Sequence, residues 1–148
     1  YKSCLIHIIM NSLKKLILVF IVLEILFSIL LAYSYYSNKI ICAPGFDCAD
    51  VQKSQYSEIF GIKLPVIGII SFTALCILFF FSQKNEKIEY LFITAAFIGA
   101  LGAIRFLYIQ FIILKKICSN CLAIDILAIA IFIFAFYDFK KSSRYATP

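Results

Sequence analysis

The sequence predicts an all-α integral membrane protein, a four-transmembrane-helix bundle with a short surface helix in its first outer loop. Hydrophobic residues make up 64% of the 148 residues and charged residues only 15%, and the mean hydropathy is +1.00. A soluble domain carries about 25% charged residues. The composition therefore excludes a soluble globular protein. The net charge of +6 is interpreted as basic residues beside membrane spans rather than as a nucleic-acid surface.

Four apolar runs are long enough to cross a bilayer, which takes about 20 apolar residues. They cover approximately residues 13–36, 65–81, 90–114 and 117–139. Because the connections between them are short, the runs predict one membrane domain over residues 10–140. The remaining residues, 1–9 and 141–148, are expected to be flexible tails.

Basic residues predict the orientation, because Lys and Arg are enriched on the cytoplasmic side of membrane proteins. Four spans place both termini on one side, and eight Lys and Arg residues lie on that side against five on the other. The bias predicts cytoplasmic termini. The polar segment 37–64 and the short connection after residue 114 are then outside. We expect a multi-pass protein of the cell inner membrane, with its cysteine pairs on the periplasmic or extracellular side.

A C-x-x-C motif, Cys118 and Cys121, begins the last apolar run. Two cysteines three residues apart at the first turn of a helix share one face and can form a disulfide with little backbone movement. The free amides at the start of the helix favour an anion, which predicts a lowered pKa for Cys118. The motif therefore predicts redox chemistry. A zinc half-site or two unrelated buried thiols are the alternatives at this point.

A second cysteine pair, Cys42 and Cys48, lies in the polar segment after the first span. A proline–glycine step between them predicts a turn that brings the two sulfurs together. A short helix over about 51–60, with Asp50 as its N-cap, is expected to follow and to lie along the membrane surface. Both pairs face the same, oxidising compartment, which is the arrangement that stepwise thiol–disulfide exchange requires.

The order of these motifs resembles the vitamin K epoxide reductase family, in its bacterial branch and without a fused thioredoxin-like domain. The resemblance covers about 13–137. It depends on the loop cysteines, on C-x-x-C at the start of the last helix, and on residues that precede or begin the second span: Ser54, Phe60-Gly61-Ile62, Pro65 and Gly68. DsbB-type quinone reductases carry C-x-x-C in the first outer loop instead, so the order here is reversed.

The resemblance implies a thiol:quinone oxidoreductase that supports disulfide bond formation. Electrons would pass from a secreted thioredoxin-like protein, acting in trans, to membrane quinone, either ubiquinone or menaquinone. By position, Cys118 and Cys121 match the active-site pair, and Cys121 is the thiol that meets the quinone. Cys48 matches the loop cysteine that exchanges with Cys118, and Cys42 matches the outer cysteine that exchanges with the partner protein. No metal and no nucleic acid enters this scheme.

Three further residues are predicted to bind the quinone. Ser54 matches a serine of the surface helix, with an ordinary exposed residue as the alternative, and Phe60 belongs to the matching motif. Asp125 shares a helix face with the two cysteines and is predicted to border the pocket and to supply or orient a proton. We also expect Arg105, at a comparable depth, to pair with Asp125. The alternatives are that Arg105 reaches the outer interface or pairs with Glu24.

Two other functions compete with this interpretation. The first is a quinone epoxide reductase of the same fold; the second span, around Ile77, lacks the amide side chain that the animal enzymes use, so the resemblance favours plain quinone reduction. The second is a non-enzymatic membrane protein with a structural disulfide, which would explain Cys42 and Cys48 but not a C-x-x-C at a helix start. Cys76 is interpreted as a small buried hydrophobic residue.

Overall fold

A computed structural model describes residues 2–37, 42–59 and 61–145 of the chain, and it describes side chains over 12–37, 42–59 and 61–141. In chain order the elements are helix α1 (Lys2–Tyr36), helix α2 (Cys48–Lys53), a 3₁₀ turn (Gln55–Ser57), strands β1 (Glu58–Ile59) and β2 (Ile62–Lys63), and helices α3 (Leu64–Ser82), α4 (Glu86–Tyr108) and α5 (Ser119–Tyr145), with a π turn (Ile109–Leu114) that continues α4.

The four long helices confirm the predicted membrane bundle. Each contains a segment that is long and apolar enough to span a bilayer: Ser12–Tyr36, Leu64–Ser82, Glu86–Leu114 and Ser119–Lys141. The third segment begins earlier than residue 90, because Asn85 caps α4 and its Oδ1 accepts a hydrogen bond from the Lys87 N–H at 3.0 Å. Glu86 and Glu89 in the first turn are favourable near the positive end of the helix dipole.

The helices pack as a closed ring in which α1 contacts α3 and α5, and α4 contacts α3 and α5. We call the end of the bundle that carries α2 and the α4–α5 connection the loop end, and the opposite end, where α1 begins, the terminal end. The core towards the terminal end is made of buried apolar side chains from all four helices: Ile17, Ile21, Leu75, Phe79, Phe92, Ala96, Ile131 and Ala135. The alanines let α4 and α5 approach closely, which is how packing holds membrane helices together.

The surface helix is shorter than expected. The predicted helix over about 51–60 is wrong in its bounds, since α2 covers Cys48–Lys53. It is followed by one 3₁₀ turn and by the antiparallel strands β1 and β2, each two residues long. The helix ends at Ser54, which adopts an extended conformation and whose Oγ donates to the Val51 carbonyl at 2.8 Å. Asp50 is not the N-cap. It lies inside the helix, and its carboxylate forms an ion pair with Lys116.

The connection between α4 and α5 is a tight hairpin. The π turn (Ile109–Leu114) widens the end of α4, and Lys115 ends it in the left-handed conformation with φ 52°. The Lys116 N–H then returns to the Gln110 carbonyl at 3.1 Å. The loop after α1 is attached to this hairpin, because the Asp47 N–H donates to the Ile117 carbonyl at 3.0 Å. The fold thereby brings the two cysteine-bearing segments to the same end of the bundle.

Candidate functional site

Cys118 occupies the N-cap position of α5. The Leu122 N–H donates to the Cys118 carbonyl at 2.9 Å, which is the first hydrogen bond of the helix. The Cys121 N–H donates to the Cys118 sulfur at 3.3 Å. The sulfur therefore stands where a serine or aspartate oxygen usually caps a helix. Cys118 is fully buried, so this cap is shielded from water.

These surroundings lower the pKa of the Cys118 thiol to about 7, against about 8.5 for an ordinary thiol. The largest cause is a hydrogen bond from the Cys121 side chain to the Cys118 sulfur. The backbone N–H groups of Cys121 and Asn120 and the side chain of Gln52 act in the same direction, while burial opposes them. A large fraction of Cys118 is thus thiolate at neutral pH, which is the nucleophilic form.

We expect the rate of Cys118 alkylation to rise with pH through a midpoint near 7, because only the thiolate reacts. The measurement uses a small maleimide on reduced protein carrying Cys76→Ser, with modified peptides identified by mass spectrometry. Adding Cys121→Ala removes the main hydrogen-bond donor and should move the midpoint up towards about 8.5. A midpoint at or above 8.5 with Cys121 present would contradict the lowered pKa.

The loop cysteines, Cys42 and Cys48, form a disulfide, whereas Cys118 and Cys121 are free thiols. Cys48 is 1% exposed and Cys42 is half-buried, so the loop presents Cys42 outwards and Cys48 inwards. The Ser119 hydroxyl lies 3.7 Å from the Cys48 sulfur and 3.9 Å from the Cys42 sulfur. The loop disulfide therefore lies directly beside the residue that follows Cys118 in the chain.

Ser119 and Lys116 attach the loop to the hairpin from two sides. The Ser119 Oγ accepts a hydrogen bond from the Ala43 N–H at 3.3 Å, and Lys116 pairs with Asp50 of α2. Together with the Asp47 to Ile117 backbone bond, these contacts hold Cys48 on the side of Cys118. The loop disulfide is thus positioned by contacts on both sides of Cys48.

A cavity of about 260 Å³ lies below the loop, between the four long helices. It could hold a ring-sized ligand, since one water takes up about 30 Å³. Its wall is mostly apolar. Among the predicted site residues, Cys121, Ser54 and Asp125 line it, whereas Cys118 does not. Phe60 lies outside the described residues.

One glycine and one serine, on neighbouring helices, shape the wall of this cavity. Gly68 of α3 faces Ser28 of α1, and a Cβ added at Gly68 would lie only 3.0 Å from the Ser28 Oγ. A residue with a Cβ at position 68 would require the Ser28 side chain to shift by a few tenths of an ångström. Both residues line the cavity, so the close approach of the two helices determines its width.

Gln110 connects the cavity to Cys118. Its Nε2 donates to the Asp125 Oδ2 at 3.1 Å, and its Oε1 accepts from the Cys118 N–H at 3.1 Å. Gln110 is 3% exposed, and it faces inwards because it lies in the π turn at the end of α4. Asp125 is held in place by this amide.

The expected pair of Arg105 and Asp125 is wrong. Arg105 is exposed on the outer surface of α4, whereas Asp125 is 6% exposed inside the bundle. Arg105 lies two residues after buried Ala103, about 200° around the helix, so it points away from α5. Within the ranges that the structure describes, no ion pair joins Arg105 to Asp125 or to Glu24.

Sequence reasoning missed two amides, Gln110 and Gln52. Both are buried, and both lie beside the C-x-x-C motif: Gln110 bonds the Cys118 N–H, and the Gln52 side chain adjoins the Cys118 sulfur. Gln110 could have been found as a lone glutamine inside an apolar run, because polar residues within spans commonly mark functional sites. Gln52 lies in the polar segment, where it carries no such signal. Ile77, in the region of the second span that the resemblance places at the quinone, is exposed on the outside of α3 and does not line the cavity.

The described side chains include no group of three or more His, Cys, Asp and Glu residues that could hold a metal ion. What the site does contain is a loop disulfide next to a free dithiol, with one thiol of that dithiol in an apolar cavity.

The fold and the site define a multi-pass membrane protein with a redox-active cysteine centre. A model of the vitamin K epoxide reductase family matches residues 15–136, and the chain belongs to this family. The match confirms the resemblance inferred from the motifs. Members of the family are oxidoreductases that link thiols to quinones. A comparison with curated proteins gives no significant match.

Proposed function

We propose that the protein is a thiol:quinone oxidoreductase that oxidises a thioredoxin-like protein acting in trans and reduces membrane quinone, in support of disulfide bond formation. The main support for this proposal is the position of the C-x-x-C dithiol. The C-x-x-C dithiol faces two environments, because Cys118 lies beside the loop that bears the Cys42–Cys48 disulfide while Cys121 lines the apolar cavity. A dithiol in this position can receive electrons from the loop and pass them to a ligand in the cavity.

The first steps are thiol–disulfide exchanges. A thiolate of the partner attacks Cys42, the more exposed sulfur of the loop disulfide, and releases Cys48 as a thiolate. The second partner thiol then closes the partner's own disulfide and frees Cys42. Cys48 next attacks Cys118 of an oxidised Cys118–Cys121 pair, and Cys42 completes the exchange. Two electrons have then moved to the C-x-x-C dithiol.

The cavity fits a quinone by its chemistry. A quinone is an apolar ring with two carbonyl acceptors, and the cavity combines an apolar wall with a few polar groups, among them Ser54 and Asp125. When bound, the quinone accepts two electrons and two protons as Cys118 and Cys121 form their disulfide. Asp125 lies one helical turn beyond Cys121 on the same face, where it can hold or deliver a proton at the cavity wall.

Quinone epoxide reduction is the competing activity. It would need a donor free to bind the epoxide oxygen. Gln110 is already bonded at both ends, whereas the Gln52 Nε2, in the lining of the cavity, has no hydrogen-bond partner among the described residues. Gln52 is therefore the amide that such an activity would use. The location follows from the charge distribution of the sequence: the cysteines are on the periplasmic or extracellular side of the inner membrane if the termini are cytoplasmic.

Anaerobic mixing of the purified full-length protein with a reduced thioredoxin-like protein and either ubiquinone or menaquinone tests this function. We expect one quinol for each partner disulfide formed, with one of the two quinones preferred. The matched control is Cys118→Ser/Cys121→Ser, which keeps the fold and removes the dithiol. Turnover of a quinone epoxide with a dithiol, but not of either quinone, would instead favour the epoxide reductase. No turnover of either kind would favour a structural disulfide.

A further inference from the structure

Glu24 is a buried acid that the relay described above does not use. It lies in the middle of α1, is completely buried, and has no hydrogen-bond partner for either carboxyl oxygen among the described residues. An ionisable side chain at the centre of a span is costly to insert into the membrane. A fold retains such a group at this cost mainly where it has a function.

Glu24 lines a second cavity of about 290 Å³. This cavity adjoins the first one, because four residues from three helices line both: Ser71, Phe72, Gly99 and Ala128. Ser28, one turn after Glu24 on α1, lines the first cavity. The carboxyl group of Glu24 therefore lies in a chamber directly beneath the proposed quinone pocket.

The chamber is closed towards the terminal end. Ile17 and Ile21 precede Glu24 on α1 and belong to the apolar core that fills the bundle below it. Three members of that core, Leu75, Ala96 and Ile131, form part of the chamber wall. A proton on Glu24 can thus exchange more easily with the pocket at the loop end than with the opposite side of the membrane.

Asp125 lines the adjoining first cavity and is the ionisable group whose charge acts on Glu24. It lies on α5 and acts on Glu24 by electrostatic repulsion. The described residues of α3 and α4 that line the chamber carry no ionisable side chain. Two carboxyls that repel each other in an apolar interior hold a proton between them. Asp125 receives a hydrogen bond from Gln110 and Glu24 receives none among the described residues, so the negative charge is better stabilised on Asp125 and the shared proton is better placed on Glu24.

We propose that Glu24 is a proton store for the quinone pocket and acts through Asp125; this rests on the proposed quinone reduction. When Cys118 and Cys121 form their disulfide, two electrons pass to the quinone and its two oxygens take up two protons. One is the proton of the Cys121 thiol, and Asp125 relays the other from Glu24. Glu24 then takes up one proton from the loop end, which replaces the proton that Cys118 released there when it became a thiolate. Overall, dithiol and quinone give disulfide and quinol.

The test compares Glu24→Gln with the unsubstituted protein, since glutamine keeps the shape and cannot release a proton. We expect quinol formation to fall by about tenfold or more, and to fall further as pH rises from 6 to 8. Exchange between the partner and the loop cysteines should be unchanged, and Glu24→Asp should restore part of the rate. The matched control is Asp138→Asn, another buried acid but at the terminal end, which should keep the full rate.

Infrared difference spectroscopy gives a readout that a purely structural role would not change. Adding quinone to the reduced protein should alter a C=O band of a protonated carboxylic acid, and this band should be missing in Glu24→Gln. If the unsubstituted protein reduces no quinone, the proposed function fails. If it does so and folded Glu24→Gln matches it from pH 6 to 8, the proton store is rejected. Equal slowing by Asp138→Asn would also reject it, because the protons would then come from the terminal end.

Discussion

Cys121→Ser is expected to accumulate a disulfide between Cys48 and Cys118. The Cys118 thiolate lies beside the loop, so it can attack the Cys48 sulfur of the loop disulfide and release Cys42. Without Cys121 the link cannot be resolved towards the C-x-x-C pair. We expect it to be the main species after alkylation of the freed Cys42, as measured by peptide mapping in a Cys76→Ser background.

A matched pair of variants tests the order of the two loop cysteines. Cys42→Ser/Cys121→Ser leaves Cys48 to react with Cys118, whereas Cys48→Ser/Cys121→Ser leaves Cys42. Under mild oxidation the first protein should form the link in much higher yield, because Cys48 is buried against the hairpin and Cys42 is turned outwards. Higher yield in the second protein would reverse the assigned order.

Cys118→Ser and Cys42→Ser should block electron transfer at different steps. Cys118→Ser removes the sulfur through which every electron passes, so quinone reduction should fall by on the order of 10³-fold or more with any donor. Cys42→Ser should lose turnover with the protein partner to a similar extent. It should keep turnover with a small dithiol such as dithiothreitol, which can reduce the Cys118–Cys121 disulfide directly.

Steady-state quinol formation with each donor separates the two cases. Cys76→Ser is the control, because Cys76 lies on α3 away from both cysteine pairs and should not affect turnover with either donor. Full activity of Cys42→Ser with the protein partner, together with loss of activity with dithiothreitol, would show that Cys42 does not receive electrons first.

The membrane architecture was predictable because its signals are local. A membrane span can be recognised from about 20 consecutive apolar residues, and the C-x-x-C pair could be placed at a helix start from the apolar run that follows it. The position of Asp125 on the face of Cys121 also followed from helical spacing. These inferences need only the geometry of one helix at a time.

The contacts between helices were harder to predict from the sequence. Placing Arg105 beside Asp125 used depth alone and ignored which side of α4 faces inwards. The buried positions Ala96, Ala100 and Ala103 mark that side, and Arg105 lies opposite to it. The role of Gln110 depends on a π turn and on a left-handed residue after it, and no sequence pattern indicated either. The end of α2 at Lys53 likewise depends on local contacts, since both the N–H and the Oγ of Ser54 donate to the Val51 carbonyl.

The attachment of the loop to the hairpin has a kinetic consequence. The exposed ion pair of Asp50 and Lys116 contributes only about 0–1 kcal/mol, so the hydrogen bonds from the Asp47 and Ala43 N–H groups supply most of the attachment. The tether of the loop confines Cys48 to the neighbourhood of Cys118, with an effective concentration of about millimolar or above, as for a short flexible linker. Dissolved thiols at micromolar levels are outcompeted under these conditions. At such thiol levels the loop selects the electron donor, because a protein that reduces the loop disulfide delivers electrons to Cys118 faster than a dissolved thiol can.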